Sequence, residues 1–222
     1  LEQHLRRLAK QTVDAVAQEA GNYTRHYARH LQEGLGGSGG ATIPVRLFHW
    51  SSENHHVGRA EAAIQLIDTL AEQESESDGR ILLWGHSHGG NVMALMTNLL
   101  RADAHSRHQF FDAATVQFRG SGSERTRAWQ RVRELLARDE GDKRPQKTLR
   151  PSMLDLVTFG TPIRYGWDVD RSDHLLHFIY HRPVEGVPAY AVPFPPSVKD
   201  IINASFGDFV HQFGIAGTDL GP

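Results

Sequence analysis

The sequence predicts an α/β fold built on a mostly parallel sheet flanked by helices on both faces. Two observations lead there. Apolar runs of strand length alternate with longer segments whose apolar residues recur at helical spacing, the order in which crossover helices join parallel strands. The run Ile81-Leu82-Leu83-Trp84 is apolar at every position, as suits a strand covered on both faces, so it is expected at the centre of the sheet. A chain of 222 residues is long enough for one sizeable core. Residues 1–222 are therefore read as a single domain, with incompleteness at one or both ends left open and a charged helical insertion around 105–150.

The elements follow in order. Residues 1–33 carry Leu5, Leu8, Val13, Val16 and Ala17 at helical spacing among charged neighbours, which predicts an amphipathic helix. The glycine-rich residues 34–40 read as a connector or loop tip. Residues 43–50 read as a strand, and residues 51–54 as the loop that caps a helix over 59–72, whose apolar face is Ala62, Ala63, Leu66, Ile67 and Leu70. The run from Ile81 comes next, then a helix starting near Gly89 or Gly90 with a Val92, Leu95, Leu99 stripe. Within the insertion a helix is expected over 124–138, lying either above the carboxyl edge of the sheet or as a plain solvated helix. Two more strands are expected over 153–159 and 174–180, followed by a proline-rich tail over 183–196 and an apolar stretch over 209–216.

Between the first apolar run and its helix stands Gly85-His86-Ser87-His88-Gly89, a Gly-x-Ser-x-Gly sequence in the strand–turn–helix setting of a nucleophile elbow. A chain that must turn this sharply holds its apical residue in a strained conformation and needs small neighbours, here Gly85 and Gly89. The turn lifts the Ser87 hydroxyl off the sheet edge and aims the helix N-terminus at negative charge developing there, an arrangement suited to acyl transfer. The bland alternative is a glycine-rich turn that happens to contain serine.

Composition narrows the classes. Lys plus Arg total 24 against 26 acidic residues, so no basic field recruits nucleic acid or an anionic membrane. The absence of cysteine removes disulfides, thiolate catalysis and cysteine-type zinc sites, and it fits reducing and oxidising compartments alike. No stretch reaches the ~18 apolar residues of a transmembrane helix. The 14 histidines are scattered. His174, His177 and His181, the pair His55-His56, and His86 with His88 lack the convergent spacing of a catalytic metal site, so no metal or other cofactor is expected. The glycines of 34–40 lack the Lys-Ser/Thr of a phosphate loop.

Over roughly residues 43–215 the chain resembles the α/β-hydrolase superfamily, and within it lipases and esterases. The resemblance is carried by Leu83-Trp84-Gly85-His86-Ser87-His88-Gly89-Gly90, by Leu156-Val157-Thr158-Phe159-Gly160-Thr161-Pro162, and by the segment from Leu176 to Val187-Pro188. It implies a Ser-His-acid triad: Ser87 as nucleophile, His211 within Gly207-Asp208-Phe209-Val210-His211 as base, and Glu185, just before Val187-Pro188, as acid. The backbone N–H of His88 is the implied oxyanion donor. Asp208, Asp219, Asp168 and Asp170 remain alternative acids, and an arrangement with Asp219 as acid and the histidine beyond Pro222 stays open. No strand ending in the family's His-Gly oxyanion turn is recognised before Ile43. The expected activity is hydrolysis of a small-molecule or lipid ester through an acyl-enzyme. The competing expectation is a binding or interaction domain that keeps the elbow for structure.

Overall fold

The computed structural model describes residues 23–36, 43–52, 55–74, 79–117, 123–141, 154–168, 174–179, 185–186 and 198. Contacts divide the chain into two compact units, Leu1–Trp50 and Ser51–Pro222.

In the first unit, helix α1 spans Arg25–Leu35. Thr24 caps it: its side-chain oxygen accepts from the backbone N–H of Tyr27 at 3.1 Å, satisfying one of the donors that a helix start leaves orphaned. The helix therefore reaches two residues past the predicted end at 33 and takes in Gly34, while residues 1–22 and 37–42 lie outside the described part. Residues 43–50 form no strand, contrary to expectation. Pro44 has no N–H to give a ladder, and the N–H of Val45 donates instead to the Gln32 side chain of α1 at 3.0 Å. A β pattern without a partner strand stays a β pattern only in sequence.

In the second unit, α2 spans His56–Glu74 and buries Ala62, Ala63, Ile64, Leu66, Ile67 and Leu70, the predicted face with one addition. Its cap is His55, whose ring Nδ1 accepts from the N–H of Gly58 at 3.0 Å. Strand β1, Ile81–His86, leads through Ser87 into α3, His88–Arg101. Then come α4, Ala104–Gln117, and α5, Ser123–Gly141, before β2, Leu154–Phe159, and β3, His174–Phe178. Helix α5 extends the predicted 124–138 segment; α4 was unforeseen, because its apolar residues show almost no helical periodicity. Asp103 starts α4 by accepting from the N–H of Ser106 at 2.8 Å.

The sheet is parallel, in the order β1-β2-β3, with Ile81 opposite Leu154 and Asp155 opposite His174. The chain is thus α/β in class, with a small parallel sheet. Strand β2 is its middle, so β1 is an edge among the described residues rather than the centre. The Ile81–Trp84 run, expected at the centre with both faces covered, thus lies on an edge of the described sheet with Leu82 46% exposed, which counts against the expected nucleophile elbow. Parity divides the sheet into two faces. Gly85, Leu154, Leu156 and Thr158 are buried on one face, where α3 packs against β1 and β2. The other face carries Leu82, Trp84, Val157, Phe159, Leu176 and Phe178, with Leu82, Leu176 and Phe178 about half exposed. Along it Trp84 meets Phe159 at 4.7 Å between ring centroids, and Phe159 stacks on Phe178 at 5.0 Å. Where a helical layer on both faces was expected, the described helices cover one.

Helix α2 packs on both α3 and α5. Val132, Ala128 and Leu136 of α5 are buried at i, i+4 spacing, and Arg131 forks onto the Asp68 carboxylate of α2 with one bond of 2.8 Å. Arg107 is 8% exposed and spends its guanidinium on three carbonyls: Leu99 at 3.0 Å, Leu100 at 2.7 Å and Leu136 at 2.9 Å. It satisfies the orphaned carbonyls at the end of α3 while tying α4 to α5.

Candidate functional site

The turn between β1 and α3 holds Ser87, which with Ser52 is one of two non-glycine residues at positive φ among the described residues. Ser87 has φ 52° and ψ −129°, a conformation that residues with a Cβ rarely adopt and that costs of order 1–3 kcal/mol. Two hydrogen bonds hold it there, one to the neighbouring strand and one within the turn. The N–H of Ser87 donates to Phe159 O at 2.9 Å, extending the β1–β2 ladder by one residue, and its carbonyl accepts from Gly90 N at 3.1 Å, starting the helix. One residue has to end a strand and begin a helix.

The close packing this turn requires involves Gly85, as the motif suggests, but Gly90 in place of Gly89. A Cβ on Gly85 would lie 2.7 Å from the Met93 methyl and 3.2 Å from Gly90 N, and one on Gly90 would lie 2.1 Å from Thr161 Oγ1. A Cβ on Gly89 would meet nothing within 4 Å. Gly85 and Gly90 therefore allow helix and strand to meet, and Gly89 is sterically free. Thr161, from the Thr-Phe-Gly-Thr-Pro segment, is buried against Gly90.

That segment is held at several points. Gly160, at φ 55°, donates to Phe178 O at 2.8 Å, continuing the ladder to β3. Asn91, fully buried, accepts from the N–H of Arg164 at 3.2 Å. Its amide oxygen is thereby committed, so its NH₂ faces His88 Nδ1 at 3.3 Å, which assigns the His88 proton to Nε2. Two turns on, Asn98 gives its NH₂ to Gly166 O at 2.9 Å and takes the N–H of Asp168 at 2.9 Å. Tyr165 accepts from Arg59 Nε at 2.9 Å and pairs with His56 Nδ1 at 2.7 Å, and the buried Arg59 guanidinium stands 5.6 Å from the Tyr165 ring centroid. None of these anchors was predicted. Asn91 and Asn98, seven apart on one face of an otherwise apolar helix, were the legible signal.

The site residues expected from sequence fall out as follows. Ser87 is at the carboxyl end of β1 and His88 is the first residue of α3, as expected; the helix starts there rather than at Gly89 or Gly90. The Ser87 hydroxyl makes no capping hydrogen bond, so it is not spent on the helix it precedes. Glu185 is exposed in a turn with Gly186. Asp168 is exposed and held at Asn98, ten residues along α3 from His88, about 15 Å by helical rise from the Ser87 end. His211, Asp208, Asp219 and Asp170 lie outside the described residues. His86 is half-buried on the aromatic face, and His177 pairs its Nδ1 with the Thr158 hydroxyl on the other.

A second titratable cluster occupies the opposite, amino edge of the sheet. Arg80 forks onto Asp155 at 2.5 and 2.9 Å, and His174 Nδ1 lies 2.7 Å from the same carboxylate. The Arg80 hydrogen bonds lead in holding the Asp155 carboxyl at a pKa of about 2, below its ordinary value, with His174 adding to them against the opposing cost of burial. In the first unit a cavity of about 330 Å³ is lined by Arg25, Arg29, Gln32, Val45, Leu47 and His49 and includes none of the Ser87 residues.

Taken together, the second unit is an α/β unit whose first strand, through a serine at positive φ, feeds a helix that the next strand's loop grips. No protein-family model, curated protein or solved structure matches the chain.

Proposed function

We propose that the chain is a cofactor-independent serine hydrolase that cleaves carboxylic esters of small molecules or lipids through an acyl-enzyme, with Ser87 as nucleophile. The observation that carries the reading is the backbone of Ser87, φ 52° and ψ −129°, between a parallel strand and a helix N-terminus. A serine at that strained point presents its hydroxyl at the helix start. The N–H of His88, the residue after the nucleophile and the first of the helix, is then the oxyanion contact, and losing such a donor costs about 2.7–4 kcal/mol of barrier. In this reading His211 removes the Ser87 proton and Glu185 orients and stabilises the imidazolium. The grip of Asn91, Asn98 and Arg59 on residues 160–168 serves to hold the turn's steric partner, Thr161, in place. Nucleic acid plays no part in the proposal, and among the described residues no helix is long and apolar enough to cross a membrane.

The test is a fluorophosphonate probe with peptide mass spectrometry, run beside turnover of short-chain nitrophenyl esters. Labelling at Ser87, with esterase activity lost in Ser87→Ala and sharply reduced in His211→Ala, is the expected result. Residual catalysis in Ser87→Ala of no more than ~10³–10⁴-fold over water fits binding and the oxyanion contact alone. A folded chain that neither labels nor turns over refutes the hydrolase and leaves the non-catalytic binding domain.

A further inference from the structure

Helix α1 places His26 and His30 one turn apart, where residues i and i+4 share a face. Their Nε2 atoms point at one another across 3.0 Å, with the ring planes at 80°. On its other nitrogen, Nδ1, His30 lies 3.4 Å from the Glu33 carboxylate. From this geometry we infer that α1 carries a two-histidine chelate for a divalent transition-metal ion, ligated by His26 Nε2 and His30 Nε2 and completed by water.

Three features support it. The first is the bite. With metal–nitrogen bonds of about 2.0–2.1 Å, nitrogens 3.0 Å apart subtend an angle of about 95°. A tetrahedral ion needs them about 3.4 Å apart. The pair thus fits two cis positions of a tetragonal or octahedral ion, which points to Cu²⁺ or Ni²⁺ ahead of Zn²⁺, and the intrinsic affinity order of such ligands runs the same way. Second, Glu33 occupies the place of the carboxylate that orients a ligating histidine. Without metal, the short Nε2–Nε2 pair shares one proton. Metal binding requires both Nε2 lone pairs, so the ring that held that proton must shift to its Nδ1–H tautomer, and in His30 that N–H faces the Glu33 carboxylate 3.4 Å away. Third, the rings stand on a helix capped by Thr24 and closed by Gly36, and the His30 side chain is 62% exposed, which leaves room for water in the remaining positions. Arg25 and Arg29 add positive charge to the same helix; they lower affinity without changing the bite.

The experiment is calorimetric titration of the full chain with CuCl₂, NiCl₂ and ZnCl₂ in a non-chelating buffer, for the wild type, His26→Ala, His30→Ala and Glu33→Gln, with helix content checked by circular dichroism. The wild type is expected to show one Cu²⁺ equivalent, in the order Cu²⁺, Ni²⁺, Zn²⁺. Either histidine substitution should weaken it at least tenfold, and Glu33→Gln by about tenfold. Paramagnetic resonance of the Cu²⁺ complex should show two imidazole nitrogens, falling to one in either histidine variant. An unchanged titration in His26→Ala or His30→Ala means that other histidines bind the ion and overturns the proposal. So does a loss confined to one of the two variants, or Zn²⁺ binding more tightly than Cu²⁺. Because the exposed rings are not core, a variant that retains wild-type helix content and loses the site counts directly for it.

Discussion

Replacing the three glycines around Ser87 one at a time by alanine separates the sequence motif from the packing. In Gly90→Ala the new methyl would sit 2.1 Å from Thr161 Oγ1, 2.6 Å from its Cγ2 and 2.8 Å from its Cβ. Rotating χ1 moves the first two atoms but not Cβ, and Thr161 is only 1% exposed, so relief requires moving backbone. Overpacking of that kind costs about 1–3 kcal/mol, and this case belongs at the upper end. With a urea slope of about 2 kcal/mol per M, a loss of about 3 kcal/mol lowers the unfolding midpoint by about 1.5 M. Gly85→Ala meets chiefly the Met93 methyl, the far end of a flexible side chain, and should cost about 1 kcal/mol. Gly89→Ala meets nothing and gains helix propensity, so its midpoint should be unchanged or higher. The assay is equilibrium urea unfolding by tryptophan fluorescence, with Thr161→Gly added in a double-mutant cycle to show that the Gly90→Ala cost is coupled to that side chain. A Gly89→Ala variant as unstable as Gly90→Ala, or a cycle with no coupling, refutes the packing argument.

Three further outcomes follow from named contacts. If the Ser87 backbone is strained as described, Ser87→Gly should be more stable than Ser87→Ala by about 1 kcal/mol in the same assay, since both lose the hydroxyl and only glycine relaxes φ 52°; equal midpoints would count against the strain. Arg107→Met should lower stability by about 3 kcal/mol or more by thermal or urea melting, because three carbonyls lose a charged donor together; a loss below about 1 kcal/mol would mean that water replaces it. Asp155 has its pKa depressed to about 2 in the folded chain, so its contribution is fully present above the ordinary carboxylate pKa and is lost as pH falls from about 4 through 2. Asp155→Asn should therefore flatten the wild-type decline in urea midpoint over that window, an effect kept modest by the exposure of Arg80, and parallel curves would remove Asp155 from the acid response.

Local patterning carried much of the fold. The α2 face, the β1–Ser87–α3 order, β2 and the start of β3 were all legible, because each is written in contiguous apolar periodicity and a short turn signature. Residues 43–50 misled for the same reason: the pattern of a strand was there, and the partner that makes a strand was not. Helix α4 was hidden because its order comes from the Asp103 cap and from Arg107 gripping two other helices, neither of which leaves a periodic trace. Ser87 and His88 were legible as a turn, while the identity of the glycine that the turn cannot lose was not.

The sequence by itself determined the class of the fold and the strained strand-to-helix turn at Ser87, since both are written in neighbours within about ten residues: an apolar run, a turn, a helix stripe. Tertiary structure alone decided that β2 and not β1 is the middle of the described sheet, and that Gly90 and not Gly89 bears the close contact. It alone decided that Asn91, Asn98, Arg59 and Arg107 are fastenings rather than surface polar residues. Each of these turns on which atoms from distant segments, such as Thr161 opposite Gly90 or Leu136 opposite Arg107, occupy the same few ångströms, and one-dimensional periodicity holds no information about that.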